Sequence, residues 1–212
     1  KVMKEILSVG FPAIIMQAVG SFLTYGVNVI FGTLSASAVT AYGVYYKIQQ
    51  FAFFAAFGMN NAMIPVIAFN YGSGDKERVR AGIRWGMIDT LVIMGVCLVV
   101  LEVCASQIVG IFALTQQTLT LCTRAVCTIA LGYLFAGANI AYQGVFQALG
   151  RGVPSMVLCL VRQLLAALPL AWLFTLLPNP EVWCWAAFPV AEGIGLLVAL
   201  VQRKRILPDV LT

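Results

Sequence analysis

Six long apolar runs leave this chain few ways to fold. They cover roughly 8–33, 38–70, 81–104, 118–146, 154–177 and 182–202, and a helix needs about 20 apolar residues to cross the hydrocarbon of a bilayer. Backbone N–H and C=O groups find no water there, so only helices and closed barrels are viable. None of the runs alternates with a two-residue period, which disfavours barrel strands. Charged residues make up 10% of the sequence and hydrophobic ones 61%, whereas a soluble domain is about one-quarter charged. The chain is therefore predicted to be all-α and integral to a membrane, a single six-transmembrane-helix bundle over 1–212. The second and fourth runs exceed the minimum and predict tilt, kinking or projection beyond the bilayer.

The breaks between the runs orient the bundle. After Ala68 the apolar pattern stops at Asn70, Gly72, Ser73 and Gly74, which supply turn conformations. Asp75, Lys76, Glu77, Arg78, Arg80 and Arg84 follow. Lys1 and Lys4 precede the first run, Arg151 follows the fourth, and Arg203, Lys204 and Arg205 close the sixth. Loops 34–37, 105–117 and 178–181 hold neither Lys nor Arg. Basic loops stay on the cytoplasmic side, so both termini are expected there. The net charge of +5 is thus an orientation signal and points to no nucleic-acid partner. The start at Lys1, without Met or a secretory signal, reads as a cut inside a longer protein.

Composition also removes several chemistries. Histidine is absent and the six cysteines form no CxxC pair, which argues against a zinc site. The cysteines read as small apolar packing residues, with a disulfide between Cys104 and Cys122 left open because both fall near the outer surface. No Ser/His/Asp or Cys/His set, no HExxH and no phosphate-binding glycine loop occurs, so no enzyme activity is expected and no cofactor. Pro12 and Pro154 fall at the starts of runs, where a missing N–H is harmless. Pro65, Pro169 and Pro189 fall inside runs and predict kinks.

Polar residues at membrane depth normally face the bundle interior or a wet cavity. Gln17, Gly20, Thr24 and Asn28 make one small polar face on the first run. Tyr42, Tyr46, Gln49, Phe53, Phe57 and Asn60 make a mixed stripe on the second, and Asn139, Gln143 and Gln147 lie four apart on the fourth. Any one amide or tyrosine can simply bond between helices. Three stripes together favour a cavity lined by Gln17, Asn28, Tyr42, Gln49, Phe53, Asn60, Asn139 and Gln143. Rings and amides suit amphiphilic, cationic small molecules through stacking and cation–π contact. Lys47, Asp89, Arg162 and Glu192 are charged at depth, and are expected to pair with one another, with amides or with carbonyls. Arg162 is the candidate for a structural ion pair. Asp89 or Glu192 is a candidate for proton coupling, since desolvation favours a neutral carboxyl group.

Several of these residues resemble one family. Asn70-Tyr-Gly-Ser-Gly-Asp-Lys-Glu-Arg-Val-Arg80 resembles the loop after the eighth helix of the multidrug and toxic compound extrusion (MATE) transporters. Phe146-Gln-Ala-Leu-Gly-Arg-Gly-Val-Pro-Ser-Met156 resembles the loop after their tenth, and Val161-Arg-Gln163 the arginine-bearing start of their eleventh. Phe11-Pro-Ala13 and Thr40-Ala-Tyr42 sit where the seventh and eighth helices would place them. The resemblance spans nearly the whole chain and implies the carboxy-terminal six-helix lobe of a twelve-helix exporter. It implies drug efflux by alternating access, driven by a sodium or proton gradient, in a bacterial-type cytoplasmic membrane. The partner would be the amino-terminal lobe or a second copy of this one. Some members carry a carboxylate in the seventh and tenth helices; counted from Pro12 and Gly150, those positions here are Gly20 and Ala138, so ion coupling would rest on Asp89, Glu192 or the other lobe. Two alternatives stand beside the exporter: a flippase for lipid-linked oligosaccharides, which needs cavity Lys or Arg for phosphates, and a non-transporting membrane assembly module.

Overall fold

The computed structural model describes residues 2–211. Lys1, one of the two charges placed before the first run, lies outside them, as does the side chain of Lys4. The first three spans are single long helices, α1 (Val2–Gly32), α2 (Ala36–Gly72) and α3 (Lys76–Gly110). The junctions follow turn chemistry. Ser35 Oγ accepts from the Ala38 N–H at 3.1 Å to cap α2, and Asp75 Oδ1 accepts from the Arg78 N–H at 3.0 Å to cap α3. Between them Gly74 takes φ +77, a left-handed conformation that glycine adopts without strain.

The later spans are broken. The fourth consists of α4 (Gln116–Ala130) and α5 (Tyr133–Ala148), bent by 50° at Leu131 and Gly132. A Cβ at Gly132 would lie 2.8 Å from the Pro189 Cα, so the bend is where the fourth and sixth spans touch backbone to backbone. The fifth span runs through α6 (Gly152–Leu160), a π-helical stretch over Val161–Ala167, and α7 (Leu168–Phe174). Pro169, which has no N–H to return to the preceding turn, sits just after that widened stretch. A short α8 (Pro180–Trp183) and a tight turn over Cys184–Ala186 lead into α9 (Ala187–Leu211), the sixth span. Among the described residues five helices are long and apolar enough to cross a membrane, and the bent pair makes six.

The prolines depart from the sequence reading. Pro12 lies well inside α1 rather than at its start, because the helix begins at Val2. Pro169 lies inside the fifth span, which stays helical from Gly152 to Phe174, and Pro189 lies in the first turn of α9. Pro65 lies within α2, which continues to Gly72.

The helix α5 is the axis of the bundle. Residues 136–146 are all buried, and Ala136, Gly137, Ala138, Ala141 and Gly144 let neighbours approach closely, as small residues do in membrane packing. Toward the uncharged loops the core centres on Phe31, whose ring meets Trp185 edge-on at 4.8 Å and Tyr42 at 5.8 Å. Toward the basic loops Met63, Ile67, Val79 and Val145 form a second cluster, and Arg203 donates to the Tyr142 hydroxyl at 3.3 Å. Large apolar side chains such as Phe51, Phe69 and Val103 face outward. That surface fits lipid or a second lobe better than water.

Candidate functional site: a polar and aromatic cleft

A cleft of about 680 Å³ opens between α1, α2, α5, the π-helical stretch and the start of α9. The stripe on α2 supplies one wall because its polar and aromatic positions recur at helical spacing, while Lys47 and Phe51 are exposed outside the cleft. Of the eight residues assigned to a cavity from sequence, Gln17, Tyr42, Gln49, Phe53, Asn60 and Gln143 line this cleft. Asn28 does not; its Nδ2 donates to the Thr24 carbonyl of its own helix at 2.8 Å. Asn139 lies behind the wall, fully buried, and donates from Nδ2 to Glu192 Oε2 at 2.8 Å and to the Glu192 carbonyl at 2.9 Å.

Two rings complete the aromatic surface. Tyr133, at the first turn after the bend in the fourth span, meets Phe53 edge-on at 5.6 Å. Phe188, from the first turn of α9, stacks on Tyr42 at 6.0 Å. Neither stood in a stripe legible from sequence, since each is placed by a helix break. Gln163 also lines the cleft beside Arg162.

The four charged candidates separate cleanly. Arg162 Nη1 lies 2.9 Å from Glu192 Oε2 and 3.0 Å from Oε1, and both residues line the cleft. They are the only charged groups among its lining residues. Lys47 and Asp89 are exposed and make no ion pair among the described residues. Lys47 shares its face with Phe51, and Asp89 shares one with Trp85, Val92 and Val96, all exposed. The expectation of pairing among all four therefore reduces to one pair, joining the fifth and sixth spans. All six cysteines are free, and Cys122 is buried with its Sγ 3.7 Å from the Ala41 carbonyl oxygen, so the Cys104–Cys122 bridge is not formed.

Comparison with known proteins places this architecture. The MatE family model matches residues 12–173. The multidrug export protein MepA of Staphylococcus haemolyticus is 27% identical over 160 residues, covering 76% of this chain and 35% of its own length. MepA of Staphylococcus saprophyticus is 25% identical over 213 residues, covering 99% of this chain and 47% of its own length. Among solved structures, an outward-facing multidrug resistance MATE family transporter of the MOP superfamily superposes with a TM-score of 0.92 at 17% identity, over 99% of this chain and 47% of that one. A MOP superfamily transporter from Pyrococcus furiosus gives 0.91 at 17%, over 100% and 48%. The fold is thus that of one lobe of a helical membrane transporter. The chain belongs to the MatE family, and it spans about half the length of the MepA protein it matches end to end.

Proposed function

We propose that this chain is the carboxy-terminal half of a secondary active exporter for lipophilic, cationic compounds. Its cleft is one wall of a substrate chamber that the other lobe closes, and the two lobes alternate access under a sodium or proton gradient. The observation that carries this reading is the cleft itself: tyrosine and phenylalanine faces and glutamine amides around one carboxylate, in a bundle surfaced with apolar residues. Aromatic faces attract cations by about 0.5–1 kcal/mol each when exposed and about 2 kcal/mol when desolvated. Phe53→Ala is therefore expected to weaken binding of a lipophilic monocation such as tetraphenylphosphonium about fivefold to tenfold, with melting temperature near wild type. Phe51→Ala, on the outward face, should leave affinity unchanged, and equal loss in both would remove the chamber assignment. Export itself is read by gradient-driven dye movement in vesicles holding the intact transporter. Lys47 lies outside the cleft, which withdraws one of the two cations that favoured a lipid-linked sugar flippase.

The basic loops further support a cytoplasmic position for both termini. Fusions after residue 74 and after 205 should give fluorescent cytoplasmic reporters, and a fusion in 112–115 an active periplasmic one. A cytoplasmic signal from 112–115 would overturn the orientation.

A further inference from the structure

The arginine–glutamate pair in the cleft is only half made. A guanidinium can meet a carboxylate through two parallel N–H···O bonds from two nitrogens. Here Nη1 serves both Glu192 oxygens, at 2.9 and 3.0 Å, and Arg162 Nε is buried with no protein partner. Asn139 stands in the same patch; the position of a Cβ on Gly195 would be 2.9 Å from both Arg162 Cβ and Asn139 Nδ2. Its Nδ2 is spent on Glu192, while its Oδ1 is a buried acceptor, also without a protein partner. One small patch therefore holds a spare donor and a spare acceptor. Unpaired buried polar groups are costly, and these two are complementary. Turning the guanidinium from Glu192 to Asn139 would satisfy both, and would uncover the carboxylate toward the cleft. Glu192 already faces the cleft more than its partner, at 20% side-chain exposure against 4%. Arg162 also rises from the π-helical stretch, a departure from α-helical bonding of a kind frequent at functional sites.

We propose that Arg162 is a built-in surrogate ligand. It occupies the Glu192 carboxylate when the cleft is empty, and the cationic group of an incoming compound displaces it toward Asn139 Oδ1. This rests on the reading of the cleft as a chamber for lipophilic cations, and it names the group that recognises their charge. It also sets an unusual sign. Arg162 competes with the ligand for the carboxylate, so affinity is held down and release is eased. A ligand whose site is open only a fraction of the time binds weaker by that fraction.

The test is binding of tetraphenylphosphonium to the full chain in lipid nanodiscs. With the carboxylate free about one-tenth of the time, Arg162→Gln should bind about tenfold tighter than wild type. Glu192→Gln should bind at least about tenfold weaker, and Arg162→Gln in the Glu192→Gln background should add nothing further. Unchanged or weaker binding by a folded Arg162→Gln would overturn the proposal while leaving the export reading in place. The wild type provides a second measurement if that variant fails to fold. In protein labelled with 15N-arginine, the buried Nε–H of Arg162 is the one protected from solvent exchange, and saturating tetraphenylphosphonium should move its resonance. A resonance unmoved at saturation would also overturn the proposal. A wild type that behaves as expected in both assays yet moves no cation under an imposed gradient keeps the surrogate and removes the export reading.

Discussion

Trp185→Ala should lower stability by about 3–5 kcal/mol, the range for truncating a large, fully buried aromatic residue. Trp185 has no exposed surface. Its ring packs edge-on to Phe31 at 4.8 Å, and its Nε1–H donates to the Glu181 carbonyl at 2.7 Å. It therefore ties the turn before the sixth span both to itself and to the end of α1. Shrinking it to a methyl group empties a volume that Phe31 cannot refill, because Phe31 is also held by Tyr42 and Phe188. Thermal unfolding in detergent would measure the effect. Trp183→Ala is the internal control: that ring is 51% exposed and should change stability by less than about 0.5 kcal/mol. Equal losses for the two would mean that the ring cluster is not what secures this end of the bundle.

Gly195→Val should disrupt the bundle directly beside the cleft. A Cβ there meets Arg162 Cβ and Asn139 Nδ2, each at 2.9 Å. Arg162 Cβ is bonded to its own backbone, so relief requires the fifth and sixth spans to separate. Overpacking of this kind typically costs about 1–3 kcal/mol, and the separation would fall on the Arg162–Glu192–Asn139 cluster. Gly193→Val, two residues earlier on the same helix, meets nothing within 4 Å and should be tolerated. Melting temperature together with tetraphenylphosphonium affinity separates the two. If Gly193→Val proved as harmful as Gly195→Val, helix propensity rather than close approach would be the cause.

Which features are legible in the sequence depends on the range of the forces behind them. The junction at Ser73, Gly74 and Asp75 is readable because turn and cap chemistry are local, and hydropathy locates the spans because solvent sorts residues one at a time. The cleft wall on α2 is likewise readable, since helical spacing alone aligns Tyr42, Gln49, Phe53 and Asn60. The bend at Gly132 is hidden because hydropathy runs through it without a dip; only the approach of Pro189, 57 positions later in the chain, explains that glycine. Lys47 and Asp89 mislead because depth along a helix says nothing of the face. Arg162 and Glu192 meet across 30 positions, a tertiary fact that no local pattern encodes. Phe188 and Tyr133 enter the cleft for the same reason, carried there by helix breaks.

The glutamines around the cleft have one consequence beyond lining it. A backbone carbonyl or N–H fixes the sense of any hydrogen bond a visitor must make. A primary amide does not: a half-turn about its last bond exchanges carbonyl for amino group. Gln147 and Gln163 are tethered, to Ser155 Oγ at 3.1 Å and to Cys159 Sγ at 3.4 Å, whereas Gln143 Nε2 has no protein partner. Gln17 and Gln49 stand at the same surface and are untethered among the described residues. The wall is thus ambidextrous, offering donor or acceptor on demand. Two guests of one shape but opposite hydrogen-bonding sense should find it equally hospitable, so discrimination falls to size, flatness and charge.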